Sequence, residues 1–354
     1  MFKKTVISVL LAVIALAVPA AASAAGGAVV FSQVTEPRPP GPDGEPVSKP
    51  PVGGLFAFKH RHAVQLTSNP ADSEPSLSTN GRMIAFVREG DVWAMHADGS
   101  GQRQLTSGDE VDSRPLIAPN GRYVLFERRP FRKRGRDLYT VELQGRAVEP
   151  LAATPGKEHE AAFSPDGRQI VYVRRNGGGK DDIWSIHPSG GGMRNLTHTP
   201  RVGDFAPHYL GGRIVFSRGN KRRMSDSYGA IFSMDRRGRR VRSLVERTRS
   251  LSLEDVNTPT RSILFAHGRA LWVQRLAGPA RKITNLPRRE SATGVFSSDG
   301  RRVAALIWEL WGESLVVLDA ANGHLAYGVS YASDVEGGSN NGSIGRVFAW
   351  QPVR

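Results

Sequence analysis

The chain has 354 residues, enough for one large domain or two ordinary ones, and its 39 glycines and 23 prolines are typical of a turn-rich, strand-rich fold. Cysteine is absent, which excludes disulfide bonds, thiolate catalysis and cysteine-based zinc sites. The formal net charge of +15 is carried largely by arginine, so anionic polymers and acidic surfaces are the partners that the charge favours.

Residues 1–24 have the pattern of an export signal. Two lysines near the start precede an apolar stretch from Val6 to Val18, and Ala22-Ser23-Ala24 offers a small-residue cleavage site. We therefore expect an exported protein that lies in the periplasm, in the cell wall or outside the cell, with residues 25–354 forming one domain. An uncleaved signal would be its only contact with a membrane.

The next segment predicts an incomplete set of strands. Ala28 to Ser32 has the pattern of a strand, and residues 33–54 are so rich in proline and glycine that a loop is expected there. Two further short strands follow, from Leu55 to Phe58 and from Val64 to Thr67. These three strands lack an innermost strand before them.

The clearest repeating unit runs from Glu160 to Thr197. An apolar run ends at Ser164, and the turn Pro165-Asp166-Gly167 leads into a second strand. Asp-Gly between two such runs is a strong hairpin signal, because glycine adopts positive φ without steric cost. Two more short strands follow, the first carrying Trp184. Four antiparallel strands in about 45 residues are typical of one propeller blade.

Similar units recur along the chain, and we number them blades one to six in chain order. The unit around Ile263–Thr284, the fifth, is the most degenerate, because only three strands are evident. Arg346 to Gln351 resembles an innermost strand without a blade of its own. Joined to the N-terminal strands, it completes one composite blade, so the sequence predicts an all-β, seven-bladed propeller. If the fifth unit is not a blade, the count is six. The aromatic position of the third strand is expected to pack between blades, as in Trp93, Tyr139, Trp184 and Trp272.

The repeated pattern F-S-P-D-G-R-x-I-x-(Y/F)-V, followed by D-I-W-S-I and R-x-L-T, resembles the TolB-like, WD-type β-propeller repeat and covers most of the residues after the signal. Members of that family include periplasmic scaffold proteins and the propeller domains of serine peptidases and polysaccharide lyases. TolB itself resembles a six-bladed ring with a separate N-terminal domain, and this chain shows neither feature clearly.

Acidic residues recur about nine positions before the turn glycine of successive units. The chain enters each innermost strand on one face of a propeller, so these acids are expected to form a ring around the mouth of the central channel. The ring would bind a cation or a cationic ligand, assisted by two histidines; alternatively, each acid caps its local turn or pairs with an arginine. The residues are Asp72, Asp112, Glu158, His159, Asp204, His208 and Glu290.

Three basic segments lie between the second and third strands of blades two, three and four, on the same face as the acidic ring. They are expected to attract a polyanion in a salt-dependent manner; the alternative is a solvated arginine-rich surface, as at Arg236–Arg242 on the opposite face. Few aromatic residues interleave the charges, so nucleic acid is not an expected ligand. The residues are Arg128, Arg129, Arg132, Lys133, Arg134 and Arg136, then Arg174, Arg175 and Lys180, then Arg218, Lys221, Arg222 and Arg223.

The sequence contains no nucleophile elbow, P-loop, H-E-x-x-H or calcium-loop motif. We therefore predict a monomeric, non-enzymatic binding or scaffold module, with no cofactor or metal, whose partner is an envelope protein or an anionic polymer. The alternative is a propeller enzyme, a lyase or hydrolase that acts on an acidic polysaccharide, with arginine and histidine near the channel neutralising carboxylates and abstracting a proton.

Overall fold

A computed structural model describes residues 29–35, 52–59, 62–130, 135–145, 147–175, 180–220, 228–285, 291–309, 312–332 and 342–350. These residues form seven four-stranded antiparallel sheets arranged as a seven-bladed β-propeller, as predicted. The described ranges contain no helix of the length and apolar character that would cross a membrane.

Each blade runs from an innermost strand at the channel to an outermost strand at the rim. The composite blade, called the closing blade, contains in that order β28 (Gly342–Trp350), β1 (Val29–Thr35), β2 (Val52–Lys59) and β3 (His62–Gln65). Blade one contains β4 (Ser73–Leu77), β5 (Met83–Arg88), β6 (Asp91–His96) and β7 (Arg103–Gln104). Blade two contains β8 (Val111–Ile117), β9 (Tyr123–Arg129), β10 (Asp137–Glu142) and β11 (Val148–Ala152). Blade three contains β12 (Lys157–Phe163), β13 (Ile170–Arg175), β14 (Asp181–Ile186) and β15 (Arg194–Asn195).

The remaining strands belong to blades four, five and six. Blade four contains β16 (Gly203–Leu210), β17 (Arg213–Asn220), β18 (Tyr228–Asp235) and β19 (Arg242–Arg249). Blade five contains β20 (Leu251–Asn257), β21 (Ser262–His267), β22 (Ala270–Arg275) and β23 (Ala280–Lys282). Blade six contains β24 (Ser291–Phe296), β25 (Arg302–Glu309), β26 (Gly312–Asp319) and β27 (Leu325–Ala332).

The two ends of the chain close the ring in one sheet. Strand β28 pairs with β1, with Val29 opposite Trp350 and Phe31 opposite Phe348. The backbone pairing of β1 with β2 extends to Thr35 opposite Val52, so the loop predicted at 33–54 is shorter at both ends. The rest of that loop lies outside the described residues, as does the predicted export signal.

The hairpin between the first two strands of a blade is fixed by a serine as well as by the turn glycine. In blade three, the Ser164 hydroxyl donates to Asp166 (2.6 Å) and accepts the Gln169 amide (2.9 Å), while Gly167 has φ of 67°. Blades one and six repeat this arrangement at Ser78 and Ser297. The recurring S-x-(D/N)-G pattern therefore specifies a bonded turn.

The hydrophobic core lies between neighbouring blades. Val30 and Leu55 of the closing blade, for example, pack in one buried cluster with Ile84 and Phe86 of blade one. Each fully buried side chain of this size contributes about 1.5–3 kcal/mol to folding, so the ring is held mainly by these contacts between sheets.

Blade five is complete, although its sequence had shown only three strands. Its innermost strand, β20, contains the buried acids Glu254 and Asp255. These two acids interrupt the apolar pattern by which a strand is recognised in the sequence. Asn257 replaces the Asp-Gly turn: its side chain accepts the Thr260 amide (2.9 Å) and donates to the Ser297 carbonyl of blade six (3.0 Å). The side-chain amide of Asn257 thus fixes this turn, as the Asp-Gly or Asn-Gly sequence fixes the corresponding turn of other blades.

Candidate functional site

Four of the predicted ring acids lie within one residue of the start of the innermost strands of blades one to four and are buried: Asp72, Asp112, Glu158 and Asp204. Each forms an ion pair with the arginine near the end of the second strand of its own blade, 14 or 16 residues later. In the three aspartate pairs the guanidinium binds both carboxylate oxygens, at 2.6–3.0 Å. The arginines are Arg88, Arg128, Arg174 and Arg218.

The same guanidinium groups lie over the aromatic rings of the third strand. The distance from the guanidinium carbon to the ring centre is 4.6 Å for Arg88 over Trp93 and 4.9 Å for Arg218 over Phe232. Arg128 over Tyr139 and Arg174 over Trp184 repeat the contact. We call each acid, arginine and ring an acid–arginine clamp. Three arginines predicted to bind ligand are therefore engaged inside the blades.

The electrostatics of the clamps follow from these contacts. The pKa values of Arg88 and Arg128 are raised, chiefly by the hydrogen bonds to Asp72 and Asp112, against the opposing effect of burial. A buried ion pair with two aligned hydrogen bonds recovers much of the cost of removing both charges from water. Loss of one partner would leave the other buried and unpaired.

Blade three departs from this geometry because its acid is a glutamate. The extra methylene places Glu158 Oε1 3.4 Å from Arg174 Nε, and Thr154 Oγ1 donates to the same oxygen at 2.5 Å. Among the described residues, Glu158 Oε2, the Tyr172 hydroxyl and Trp184 Nε1 have no hydrogen-bond partner. Burial raises the pKa of Glu158 to about 7, with Asp137 adding to the shift. Among the described residues, this clamp has more buried polar atoms without a hydrogen bond than the other three clamps.

A second set of residues, which the sequence analysis did not identify, lies two positions after the acids. Glu74, Arg114, Glu160 and Ala206 all adopt positive φ, between 48° and 53°, within a β-bulge of the innermost strand. Their recurrence in the pattern acid-x-residue-(Pro/Ala) is the sequence signal that could have revealed them. The left-handed conformation is costly for these residue types, so compensating contacts are expected.

Those contacts are hydrogen bonds between neighbouring blades. The Arg114 amide donates to Glu74 (2.5 Å), the Glu160 amide to Glu127 (2.8 Å) and the Ala206 amide to Glu160 (2.8 Å). Three of the four left-handed residues thus turn their N–H toward a carboxylate of the preceding blade, and charge-assisted hydrogen bonds of this kind are strong. Blades one to four are linked around the channel by these inter-blade amide bonds.

A cavity of about 30 Å³ lies between blades two, three and four, beside the inter-blade amide bonds of Glu160 and Ala206. Arg114, Glu127, Glu160 and His208 supply its polar lining. Arg114 binds Glu127 at 3.2 Å, and its Nε has no hydrogen-bond partner in the described part of the chain. Burial alone would lower the pKa of Arg114, but the carboxylates around it raise it. The cavity has room for about two water molecules.

Of the two predicted site histidines, His208 is buried and lines this cavity, while His159 is half-buried. His208 Nδ1 lies 2.8 Å from the Ala206 carbonyl, so this nitrogen carries the proton, and burial lowers the pKa of His208 to about 4. His159 lies 3.8 Å from Glu160 and 3.9 Å from Asp181, and burial lowers its pKa as well. Both rings are therefore neutral near pH 7.

The basic segments are only partly described. Arg136 pairs with Glu127 at 3.1 Å and Arg175 with Asp181 at 2.6 Å, while Arg129 and Lys180 are exposed. In the clamps, three of the predicted cations are ion-paired with predicted ring acids: Arg128 with Asp112, Arg174 with Glu158 and Arg218 with Asp204. The predicted site residues outside the described ranges are Arg132, Lys133, Arg134, Lys221, Arg222, Arg223 and Glu290.

The comparisons with known proteins agree with this architecture. No family model matches the chain. The Tol-Pal system protein TolB of Anaeromyxobacter dehalogenans (strain 2CP-C) is 37% identical over 131 residues, which are 35% of this chain and 28% of that protein. The match therefore spans less than a third of that relative's length.

Solved structures resemble the chain over a larger part of its length. TolB from Acinetobacter baumannii has a TM-score of 0.55 at 15% identity, over 91% of this chain and 82% of that chain. An oligogalacturonate lyase in complex with manganese has a TM-score of 0.57 at 14% identity, over 72% and 81%. At these identities the likeness concerns the fold alone. With its repeats and seven blades, the chain is a β-propeller whose fold is similar to that of TolB.

Proposed function

We propose that this protein is an exported, non-enzymatic binding module that presents the mouth of its channel to another protein of the cell envelope. The observation that carries the proposal is the set of inter-blade amide bonds among blades one to four. A surface whose backbone and charges are already fixed loses little conformational entropy when a partner docks. The rigid ring therefore suits presentation of loops rather than closure around a substrate.

The relative named as a Tol-Pal system protein supports the same function, because its name places it in a system of several proteins. Burial of the clamp carboxylates argues in addition that the binding energy comes from shape and exposed loops. A partner held in this way would tolerate high salt, since surface charge pairs are screened while apolar contacts are not.

The test uses an exposed apolar residue on each face. Val111, 41% exposed, lies at the channel-mouth end of blade two, and Leu325, 63% exposed, lies at the opposite end of blade six. We expect V111D to lose an envelope protein that the parent captures in high salt, and L325D to retain it. Equal capture by both variants, or capture that high salt abolishes, would contradict the proposal.

A propeller enzyme acting on an acidic polysaccharide is the second candidate, favoured by the position of His159 between Glu160 and Asp181. A neutral histidine beside carboxylates has the character of a general base. Its side chain is half-buried and only 20% exposed, which limits contact with a polymer, and the described residues hold no group of three side chains that could bind a metal ion. Release of unsaturated uronates from polygalacturonate, lost in H159A, would favour this function over the first.

A further inference from the structure

The positive charge of blade four is distributed differently at its two ends. Near the channel mouth, Arg218 pairs with Asp204. At the opposite end, Arg213 donates to neutral acceptors, the Ser233 hydroxyl (3.0 and 3.2 Å) and the Arg240 carbonyl (3.0 Å). Within the described ranges, no ion pair involves Arg213, Arg240 or Arg242.

The acids near that end are already occupied. Asp235 accepts the backbone amides of Arg237 and Arg239 (both 2.9 Å) and pairs with the Arg239 side chain at 3.2 Å. Asp166 of blade three holds Arg236 through two hydrogen bonds of 2.8 Å. Among the described residues, these carboxylates therefore form no ion pair with Arg213, Arg240 or Arg242.

Comparison of the blades shows that Arg240 occupies a glycine position. The turn between the third and fourth strands is closed by equivalent backbone bonds of 2.8 Å in blades one, three and four. The residue after this bonded turn is Gly101 in blade one (φ 64°) and Gly192 in blade three (φ 68°), but Arg240 in blade four (φ 55°). Arg240 therefore adopts a left-handed conformation that costs less conformational energy for glycine. Strain of this kind is often found at functional sites.

Arg242 also differs from its counterpart. Arg103 begins the fourth strand of blade one and donates two hydrogen bonds, of 2.8 and 3.0 Å, to the Leu143 carbonyl of the next blade. Arg242 begins the fourth strand of blade four, is exposed, and makes no such bond to any described residue. Its guanidinium is therefore left for contact with something outside the blade.

The three guanidinium groups influence one another. The pKa of Arg213 is lowered by burial and further by the positive charges of Arg242 and Arg240, while the carboxylate of Asp235 opposes this shift. A cluster of like charges is relieved when an anion enters it. A phosphate group presents several acceptor oxygens to neighbouring guanidinium forks, which is the geometry that arginine recognises best.

We propose that Arg213, Arg240 and Arg242 form an anion-binding surface on the end of blade four opposite the channel mouth, and that it binds a linear phosphate-bearing polymer. The surface continues into the turn before Arg240, where Arg237 and Arg239 are exposed. Cations spread over this turn and the start of β19 match successive groups on a chain. The surface is separate from the channel mouth and stands whether or not the proposed function holds.

The test measures binding of fluorescent polyphosphate to the full protein in a salt series. The variant R240G/R242S removes two charges and restores the glycine that blades one and three use, so the fold should keep its thermal stability. The matched control R122S/R168S removes two exposed arginines from the same face in blades two and three. A third protein carries R132S/K133S/R134S in the basic segment of blade two.

We expect R240G/R242S to bind about tenfold more weakly, with the slope of log K against log salt reduced by about two, while the control changes less than about twofold. Equal weakening in the two double variants would show attraction by net charge alone and overturn the proposal. Weakening confined to R132S/K133S/R134S would overturn it in favour of the basic segment. An effect of R240G/R242S on phosphatidylglycerol vesicles but not on polyphosphate would overturn the assignment to a polymer.

Discussion

At the residue scale, the length of one side chain decides how a buried charge is satisfied. Asp112 receives two hydrogen bonds from Arg128, at 2.7 and 2.8 Å, whereas Glu158 leaves one carboxylate oxygen without a hydrogen bond from the described residues. Sequence reasoning found the acids by their recurrence, and pairing with arginine was one of its two interpretations. It could not choose between them, because the partner lies 16 residues away and meets the acid only across the sheet register.

The clamp of blade two provides the first prediction. Arg128→Ala would leave the carboxylate of Asp112 buried and unpaired, so the free energy of unfolding should fall by about 3–5 kcal/mol. The adjacent Arg129 is exposed, and Arg129→Ala should cost less than about 0.5 kcal/mol. Chemical denaturation of the two variants measures the difference. Equal losses would show that the clamp contributes no more than a surface arginine.

The clamp of blade three makes stability depend on pH. The pKa of Glu158 is about 7 in the folded chain and 4.5 for the free side chain, so the folded state retains a proton that the unfolded state releases between these values. The contribution of Glu158 to stability is therefore present at low pH and is lost as the pH rises from about 4.5 to 7. Glu158→Gln cannot ionise, so its stability relative to the parent should rise by about 1–3 kcal/mol across that window. Parallel stability–pH profiles of parent and variant would contradict this account.

At the scale of single elements, glycine permits close contact between neighbouring blades. Gly99, in the hairpin between β6 and β7, has φ of 90°, and a Cβ added there would lie 2.5 Å from the Leu66 carbonyl oxygen of the closing blade. Gly238 and Gly323 approach the preceding blade in the same way, at Leu196 and Ile283. The hairpin and the outer strand beside it therefore fit only without a side chain.

Gly99→Ala tests this contact. Strain at positive φ and the clash with the carbonyl act together, so the free energy of unfolding should fall by about 2 kcal/mol or more. Gly191, in the corresponding hairpin of blade three, has open space around its Cβ direction, and Gly191→Ala should change stability by less than about 0.5 kcal/mol. Thermal unfolding compares the two variants, and equal melting temperatures would exclude the close contact.

Turn chemistry also explains which elements the sequence could predict. Wherever Asp-Gly or Asn-Gly separates two apolar runs, the hairpin is present, as at Gly81, Gly121, Gly167 and Gly300. Strand β20 escaped prediction because its turn depends on a side-chain amide from Asn257 and because two adjacent acids interrupt its apolar pattern. The left-handed positions escaped prediction because their partners belong to the preceding blade, which no local pattern reveals.

At the scale of the whole molecule, repetition made the architecture predictable and the ligand unpredictable. Seven copies of one unit specify a ring, and the incomplete units at the two ends specify how it closes. The charge of the surface does not follow from the repeats, because it depends on which arginines form ion pairs with carboxylates inside the blades. Arg218 and Arg240 belong to the same blade and look alike in sequence, yet only Arg218 pairs with an acid among the described residues.

The closure of the ring is the claim on which the placement of every face depends, and a disulfide tests it directly. The chain has no cysteine of its own, and Val30 lies opposite Ala349 in the pairing of β1 with β28. Residues opposite each other across antiparallel strands are close enough for a disulfide after small adjustments. In the control V30C/A332C, the second cysteine lies in the outermost strand of another sheet. We predict that mild oxidation consumes both thiols of V30C/A349C and leaves the control reduced; thiols that persist equally in both proteins would contradict the shared sheet.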